Sequence, residues 1–497
     1  MTFSRRTFGR LVLGSTISAA AERLLAQGVA THTAKPLSRP LPSGRPFNAH
    51  FVDVAASAGL TSPAIYGGID SKKYILEATG CGCAFIDYDN DGWMDIFILS
   101  GTRLEGAPSG ASNRLYKNNR DGTFTDVTEK AGLTAVGWAS AVCVGDYNND
   151  GFEDLFCTYF GQNHLYRNNG DGTFTDVSKA AGIAAYRGKA WGVVASDINN
   201  DGNLDLFVAN DTVANFLFVN RGGKFEQIGE PAGVAYSAEG RPRSGMGVDS
   251  ADYDQDGWMD LFVANIDREI YSIYQNNHDE TFDDRARETG VGVATRLMSG
   301  WGLKFFDYDN DGNLDLFLAN GNPDDLIESL HPGVTYKEPP ILMHNTGRGF
   351  ENVSAQSGPI FGIPISARGT AIGDFDNDGA VDVLIAVNGG PPVLLRNNVG
   401  KQNHWLGLSL AGKKSNPDAI GARVTYQAGD LKRSHMKVGG GSYLSSHDPR
   451  MVLGLGQRKK VDWLEVKWPQ PSTRVDRFGD LPVDRYIAIV EGQERWK

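Results

Sequence analysis

One nine-residue pattern, Asp-x-Asx-x-Asp-Gly-x-x-Asp, recurs six times in this chain of 497 residues and constrains its fold more than any other feature. The copies lie about 55 residues apart, a period typical of proteins built from repeated supersecondary units. They begin at Asp87, Asp146, Asp197, Asp252, Asp307 and Asp374. We refer to them as loops one to six. The chain is therefore expected to fold as a series of similar units that stack against one another.

The segments that flank each loop predict short β-strands. An apolar run precedes each loop and another follows it, as at residues 191–196 and 204–209. Two further segments complete a repeat, as at residues 113–118 and 124–127. All are rich in β-branched and aromatic residues and are bounded by Gly, Asn or Asp. Four short strands per repeat predict an all-β fold, a β-propeller of six blades that spans residues 47–401.

The N-terminal strand is predicted to complete the last blade. Loop six is not followed by its own Phe-x-Asp-Val segment, but an isolated copy lies at residues 51–54. Pairing of this copy with the sixth blade would close the propeller and leave no free sheet edge. A seventh blade within residues 61–80 is an alternative that the sequence leaves open.

The loops are predicted to bind calcium, about six ions in total. Positions 1, 3, 5 and 9 are acidic, except for an Asn at position 3 of loops two and three, and no basic residue lies within a loop. Such carboxylates repel one another by ~4 kcal/mol at a partly buried site, and the invariant Gly at position 6 permits a sharp turn toward an ion. Ligands that are all oxygen favour calcium over zinc, copper and magnesium. With the position 7 carbonyls included, the predicted ligands are Asp87, Asp89, Asp91, Trp93, Asp95, Asp146, Asn148, Asp150, Phe152, Asp154, Asp197, Asn199, Asp201, Asn203, Asp205, Asp252, Asp254, Asp256, Trp258, Asp260, Asp307, Asp309, Asp311, Asn313, Asp315, Asp374, Asp376, Asp378, Ala380 and Asp382.

Two other interpretations of these loops are less consistent with the sequence. Asp and Gly favour turns without any ion, but six copies with one spacing favour calcium. An EF-hand would carry Glu at position 12 between two helices. Position 12 is instead apolar in every copy and lies in a predicted strand, so the EF-hand is excluded.

The N-terminal residues predict export. The sequence Ser-Arg-Arg-Thr-Phe at residues 4–8 precedes an apolar stretch at 11–21. This stretch is shorter than the ~20 residues that a membrane span needs. Residues 1–26 are therefore predicted to be a twin-arginine-type signal peptide, with a Sec signal or an uncleaved tail as alternatives. Residues 27–46 are predicted to be a linker. We expect a periplasmic or secreted protein with no transmembrane anchor after cleavage.

The repeats resemble the FG-GAP, or VCBS, repeats of integrin-type propellers, a resemblance that implies calcium in the hairpin between the first two strands of a blade. Residues 402–497 resemble the ASPIC/UnbV domain, through segments 403–406, 420–424, 441–446, 453–456 and 461–469. Together they resemble bacterial relatives of the cartilage acidic protein family, which implies an extracytoplasmic interaction role. Independently, alternating apolar runs at 461–468 and 486–490 predict a small C-terminal β-sandwich.

The sequence predicts a binding or scaffold protein rather than an enzyme. It contains no G-x-S-x-G, HExxH, Walker or Rossmann pattern. An extracellular carbohydrate-active enzyme and a lectin-like glycan-binding protein are the alternatives. The net charge of −12, with no long basic run, argues against nucleic-acid binding. We expect an unknown protein or glycan ligand at the channel mouth near Trp191, Trp301 and Arg368, with simple channel packing as the alternative.

Two sets of polar residues are expected to have structural roles. Cys143 and Cys157 lie on consecutive predicted strands, so a disulfide and a pair of small buried thiols are both consistent with the sequence. An Asn recurs at the end of each third predicted strand, where it is expected to cap a turn. These residues are Asn118, Asn168, Asn220, Asn276, Asn345 and Asn397.

Overall fold

The computed structural model describes residues 50–497 except 70, 78–79, 109, 146–151, 160–163, 178–189, 222–224, 471 and 473. The predicted signal peptide and linker, residues 1–46, lie outside the described residues. So do Asp146, Asn148 and Asp150 of loop two.

Six antiparallel sheets follow one another along the chain, one for each Asp-rich loop. Five of them have four strands, and the third has a fifth strand that the C-terminal residues contribute. The first three contain β2 (Cys83–Ile86), β3 (Asp95–Ile98), β4 (Arg114–Asn118) and β5 (Phe124–Asp126); β6 (Ala139–Gly145), β7 (Asp154–Tyr159), β8 (His164–Asn168) and β9 (Phe174–Asp176); and β10 (Ala190–Ser196), β11 (Asp205–Asn210), β12 (Phe216–Asn220) and β13 (Phe225–Gln227). The fourth and fifth contain β14 (Val248–Ala251), β15 (Asp260–Val263), β16 (Ser272–Asn276) and β17 (Phe282–Asp284); and β18 (Gly300–Phe306), β19 (Asp315–Asn320), β20 (Ile341–Asn345) and β21 (Phe350–Asn352). The sixth contains β22 (Ala367–Gly373), β23 (Asp382–Val387) and β24 (Val393–Asn397).

The N-terminal strand β1 (Phe51–Asp53) completes the sixth sheet, as the sequence predicted. It pairs antiparallel with β24, so that Phe51 lies opposite Asn397 and Asp53 lies opposite Leu395. Phe51 is fully buried and its ring packs against those of Tyr308 and Phe361. Among the described residues of 61–80, no strand is present and Ile75–Glu77 forms a 3₁₀ turn, so this segment forms no seventh blade there.

Hydrophobic clusters lie between neighbouring sheets, which is the packing expected of propeller blades. One cluster joins the third and fourth sheets and contains Phe207 and Leu261, while another joins the fourth and fifth and contains Phe262 and Leu316. The innermost strands of the sixth and first sheets, β22 and β2, also pack side by side. The first and last repeats are therefore neighbours in space.

Helical structure is confined to short connections in the described residues. The α-helices are α1 (Thr128–Ala131), α2 (Val291–Thr295) and α3 (Ile327–Leu330). The 3₁₀ helices are Ile75–Glu77, Ser354–Gln356, Pro359–Gly362 and Gly400–Gln402. None of the described helices is long and apolar enough to cross a lipid bilayer.

The C-terminal residues form two sheets that share one core, as predicted for a small sandwich. The strands are β25 (His404–Ala411), β26 (Arg423–Ala428), β27 (Leu431–Met436), β28 (Gly439–Gly440), β29 (Met451–Gly456), β30 (Val461–Lys467), β31 (Val475–Leu481) and β32 (Arg485–Val490). One sheet has the order β29-β25-β32 and the other β27-β26-β30-β31. Leu406 of the first and Leu464 of the second lie in the same buried cluster. The short strand β28 pairs instead with β10 of the propeller.

Candidate metal centres

In every described Asp-rich loop, the Asp at position 1 holds the turn through both of its carboxylate oxygens. In loop five, Oδ1 of Asp307 accepts the backbone N–H of Asp311 at 3.1 Å and Oδ2 accepts that of Gly312 at 2.8 Å. Gly312 adopts φ of 96°, a left-handed conformation that disfavours any residue with a Cβ. The same two bonds recur in loops one, three, four and six. The loop is thus shaped by the residues that the sequence singled out as ligands.

The Asp at position 9 begins the second strand of its sheet and is buried in each described loop. Its Oδ1 atom accepts the backbone N–H of the Asn that ends the third strand, as for Asp315 and Asn345 at 2.7 Å. Burial and the charge of Asp309 raise the pKa of Asp315 well above its usual range. Burial raises the pKa of Asp95 to about 8 and that of Asp205 to about 7. These side chains would be stabilised as carboxylates by a nearby cation.

Four loops bring three carboxylates close enough to share one ion. Within each group, the ligand oxygens lie within 4.8 Å of one another. The groups are Asp87, Asp89 and Asp95; Asp252, Asp254 and Asp260; Asp307, Asp309 and Asp311; and Asp374, Asp376 and Asp382. In the same four loops, three carboxylate oxygens are buried and have no hydrogen-bond partner: Oδ1 of Asp89, Oδ2 of Asp315 and Oδ1 of Asp376. A buried anionic oxygen without a partner is costly, so the donor set fits a hard cation.

The residues at position 7, whose carbonyls were predicted to be ligands, close the turn through their backbone N–H groups. The N–H of Trp258 donates to Oδ1 of Asp256 at 2.8 Å, and the N–H of Trp93 donates to Oδ1 of Asp91 at 3.0 Å. Asn203, Asn313 and Ala380 make the equivalent bond. Their role as metal ligands stays a prediction, as does that of Phe152 and Asp154 in loop two.

In the described part of the chain, five of the six recurring Asn residues, all except Asn220, cap turns as predicted, and the same five also join neighbouring sheets, which the sequence did not reveal. Oδ1 of Asn276 accepts the N–H of His278 at 2.9 Å, which is the expected cap. Its Nδ2 donates to the carbonyl of Met259 in its own repeat and to that of Ile198 in loop three of the preceding one. Asn168, Asn345 and Asn397 bridge to the preceding repeat in the same way, and Asn118 of the first repeat bridges to the carbonyl of Phe375 in loop six of the last. The contact between neighbouring sheets therefore includes hydrogen bonds to the backbone carbonyls of the Asp-rich loops.

Side chains from outside the loops also reach the carboxylates. Lys117 of β4 contacts Asp89, and Arg120 lies 2.7 Å from Oδ2 of Asp91. Nε2 of Gln275 donates to Oδ2 of Asp254 at 2.7 Å. The sequence prediction considered only residues within the loops and missed these partners. The signal that would have found them is their register, since Lys117 and Gln275 both precede the Asn that ends a third strand.

The C-terminal sandwich lies against loops three to six. Arg423 reaches loops three and four, where Nη1 donates to the carbonyl of Gly257 at 2.9 Å and Nη2 donates to Asn200. Arg433 donates to the carbonyl of Gly312 at 2.7 Å. In loop six, Arg450 donates to the carbonyl of Asp374, and the Tyr486 hydroxyl donates to Oδ2 of the same residue at 2.7 Å. The loops thus connect the two domains as well as neighbouring sheets.

Residues 440–448 of the C-terminal domain run along the innermost strands of all six sheets. Gly440 pairs with Val194 of β10, Ser442 exchanges backbone bonds with Val248 of β14, and the carbonyl of Leu444 accepts the N–H of Val142 in β6. Oγ of Ser442 accepts the N–H of Leu303 in β18 and donates to the carbonyl of Thr370 in β22. The N–H of Ser446 donates to the carbonyl of Cys83 in β2. We call residues 440–448 the channel segment.

The three residues predicted at the channel mouth lie around Tyr443 of this segment, Trp191 and Trp301 through their rings and Arg368 through its contact with Trp301. The Tyr443 ring lies edge-on to Trp301, with centroids 4.9 Å apart, and 6.1 Å from the ring centroid of Trp191. The Arg368 guanidinium lies 4.1 Å from the centre of the Trp301 ring, and its Nη1 donates to the Ala367 carbonyl at 2.7 Å. Trp301 and Arg368 are buried, whereas Trp191 is partly exposed. The prediction of a ligand here stays a prediction.

The cysteines are buried in the described residues. Cys81 and Cys83 form no disulfide, and burial raises the pKa of each thiol to about 12. Cys157 is also buried. The side chain of Cys143 lies outside the described part of the chain, so its pairing stays a prediction.

Comparison with known proteins identifies both parts of the chain. The FG-GAP-like repeat family matches residues 87–157, 146–208, 197–263 and 252–318, and the ASPIC and UnbV family matches residues 412–495. The chain thus contains FG-GAP-like repeats followed by an ASPIC and UnbV domain.

It is homologous to cartilage acidic protein 1, at 25% identity to the mouse protein and 26% to that of Xenopus tropicalis. The mouse alignment covers 79% of this chain and 62% of the relative, and the Xenopus alignment covers 56% and 41%. The chain therefore spans less than two thirds of the length of these relatives. Among solved structures, an Agrocybe aegerita lectin that recognises non-reducing terminal N-acetylglucosamine is similar, with 17% identity and a TM-score of 0.31. That alignment covers 73% of this chain and 80% of the lectin chain.

Proposed function

We propose that this chain is an exported calcium-binding propeller that serves as a binding or scaffold protein. The observation that carries the calcium assignment is the convergence of three carboxylates, at least one of them buried, in each of four loops, where the ligand oxygens lie within 4.8 Å of one another. Three oxygens within these loops are buried and unpartnered, one of them in Asp315. A bound calcium ion would supply the positive charge that this arrangement lacks.

The donor chemistry favours calcium among biological cations. Every predicted ligand in the described loops is a carboxylate, an amide or a carbonyl oxygen, and such sets suit hard cations rather than zinc or copper. Calcium accepts six to eight such ligands in a flexible arrangement, whereas magnesium retains its waters. We propose one calcium site per repeat loop, and thus up to six.

The binding role is supported by homology to cartilage acidic protein 1 and by the repeat architecture. We propose that the partner, a protein or a glycan, contacts the channel mouth beside Trp191. Tyr443 of the channel segment packs against the buried Trp301, on whose ring the buried Arg368 lies, so a ligand would meet the partly exposed Trp191 first. Loss of a specific ligand in a Trp191→Ala variant that keeps its melting temperature tests this placement. Equal binding by the variant and the parent would exclude it.

Native mass spectrometry of the purified protein, before and after chelation, tests calcium binding by counting ions. We expect several calcium ions in the untreated protein, none after chelation, and a melting temperature that falls when calcium is removed. A site filled at 100 times its dissociation constant stabilises the fold by ~2.7 kcal/mol. Magnesium at the same concentration serves as the control. Identical melting with calcium and with chelator would refute the assignment.

Export is tested separately with the N-terminal residues. We expect residues 1–46 to carry a folded reporter across the bacterial inner membrane, and the Arg5→Lys, Arg6→Lys double variant to leave it in the cytoplasm. Unchanged transport by that variant would rule out the twin-arginine route. Retention of both reporters in the cytoplasm would rule out export.

A further inference from the structure

Loop one already contains a positive charge supplied by the chain. Nζ of Lys117, which projects from the end of β4, contacts the Asp89 carboxylate and lies 3.4 Å from Oδ2 of Asp91. Nη2 of Arg120 lies 2.7 Å from the same Asp91 oxygen. Asp89 is one of the three residues whose oxygens converge in this loop. The ammonium group therefore uses a carboxylate that an ion in loop one would need.

Loop four offers a direct comparison because its repeat has the same register. Gln275 occupies the position of Lys117, since each precedes the Asn that ends the third strand. Its Nε2 donates to Oδ2 of Asp254, at position 3 of the loop, at 2.7 Å. The contact has the same geometry but carries no net charge. The two loops thus share four carboxylates, and in each a basic side chain contacts the carboxylate at position 5, Arg120 in loop one and His278 in loop four. They differ at position 3, which an ammonium faces in loop one and a neutral amide faces in loop four.

The charge on Lys117 is persistent. The ordinary pKa of a lysine ammonium is about 10.4, far above the value of about 3.9 for an aspartate carboxyl. The side chain therefore remains cationic at any pH at which the loop carboxylates are ionised. Lys117 contacts Oδ2 of Asp89, whereas Oδ1 of the same carboxylate has no hydrogen-bond partner. A divalent ion bound through Oδ1 would therefore lie beside this ammonium, where like charges repel.

We propose that Lys117 acts as a tethered counter-ion in loop one, so that this loop binds calcium more weakly than loop four. The residue before the third-strand Asn would then determine the calcium affinity of each loop. This inference rests on the calcium binding proposed above, but it concerns the ranking of sites rather than their existence.

An exchange of the two residues tests the proposal on the full chain. Terbium serves as the probe, because Trp93 and Trp258 occupy position 7 of loops one and four and transfer energy to an ion bound there. We expect Lys117→Gln to tighten terbium and calcium binding in loop one at least tenfold. The new luminescence should disappear when Trp93→Phe is added. Conversely, Gln275→Lys should weaken loop four by a similar factor and remove one calcium ion from the native mass spectrum at limiting calcium.

The controls separate this proposal from that of calcium binding itself. Lys130→Gln makes the same charge change at an exposed residue on α1 and should leave every site unaltered. If the parent protein binds calcium but Lys117→Gln neither gains an ion nor tightens loop one, the counter-ion role is wrong. If Lys117→Gln is poorly folded, an unchanged loop four in Gln275→Lys overturns the proposal equally well. If no variant binds calcium, the proposed function itself fails, and this inference with it.

Discussion

The side-chain amide of Asn397 donates a hydrogen bond to the carbonyl oxygen of Tyr308, 2.6 Å away, and so joins the sixth sheet to loop five. The same amide reaches the carbonyl of Val381 in its own repeat. Its Oδ1 accepts the N–H of Val399 at 2.9 Å, and its backbone N–H donates to Asp382. One side chain therefore connects a turn, a loop and a neighbouring sheet.

Replacement of one bridging Asn should weaken the contact between two sheets. We expect Asn276→Ala to lower the free energy of unfolding by about 2 kcal/mol, because it removes two hydrogen bonds and leaves the Ile198 and Met259 carbonyls without this donor. The adjacent Asn277→Ala is the control, since Asn277 bonds only locally to Thr281 at the surface. Chemical denaturation measures the free energy of unfolding of both variants. Equal effects of the two substitutions would show that the bridge does not contribute.

The metal-free protein should become less stable as the pH rises from about 4 to 8. Burial raises the pKa of Asp252 to about 7 and that of Asp95 to about 8, above the value of about 3.9 for an unfolded chain. The folded state then holds protons that the unfolded state has lost, so its stability declines through this window. Calcium competes with those protons, and its stabilising effect should therefore increase over the same range.

Melting temperatures at pH 5 and pH 8 test this, with metal-stripped protein and with protein in excess calcium. The melting temperature in excess calcium should exceed that of the stripped protein by more at pH 8 than at pH 5. A stripped protein that melts higher at pH 8 than at pH 5 would contradict the assignment.

Removal of the Tyr443 ring should destabilise the propeller from its centre. Tyr443 is fully buried against Trp301, so Tyr443→Ala leaves a cavity in the channel and should cost about 3–5 kcal/mol. Tyr236→Ala, at an exposed Tyr of the propeller, is the matched control. Denaturation monitored by tryptophan fluorescence reports the change. A loss no larger than that of the control would mean that the channel segment contributes little to stability.

Cys81 and Cys83 should resist alkylation in the native protein. Both side chains are fully buried, and burial raises the pKa of each thiol to about 12, so almost none is present as the reactive thiolate. Peptide mass spectrometry after iodoacetamide treatment should find them unmodified at pH 8 and fully modified in denaturant. Rapid labelling without denaturant would indicate that the first sheet opens.

The sequence was sufficient to predict the repeat fold because each blade is a local unit. Strand pairs such as β18–β19 are joined by one Asp-rich loop, and the nine-residue pattern specifies that loop through its own backbone contacts. The missing strand of the sixth repeat and the extra copy at residues 51–54 together predicted the pairing of β1 with β24, which the structure confirms.

The contacts missed by sequence reasoning connect residues that are distant in the chain. Ser442 lies beside Thr370 and Leu303 although the first of these precedes it by 72 residues and the second by 139. Its segment is too short and too rich in Gly to show a strand periodicity. Lys117 was missed for a different reason, because a charged residue at a strand end is most often solvated. The role proposed for Lys117 follows only from its contacts with Asp89 and Asp91 of loop one, which the structure reveals.

Strand β1 begins at residue 51, whereas its partner β24 ends at residue 397 and the channel segment follows at 440–448. During synthesis, β1 can therefore pair only after β24, several hundred residues later in the chain, has been made. The channel is filled only after all six repeats and residues 440–448 have been synthesised. A nascent chain stalled before residue 440 would therefore contain every repeat but leave the centre of the propeller unoccupied.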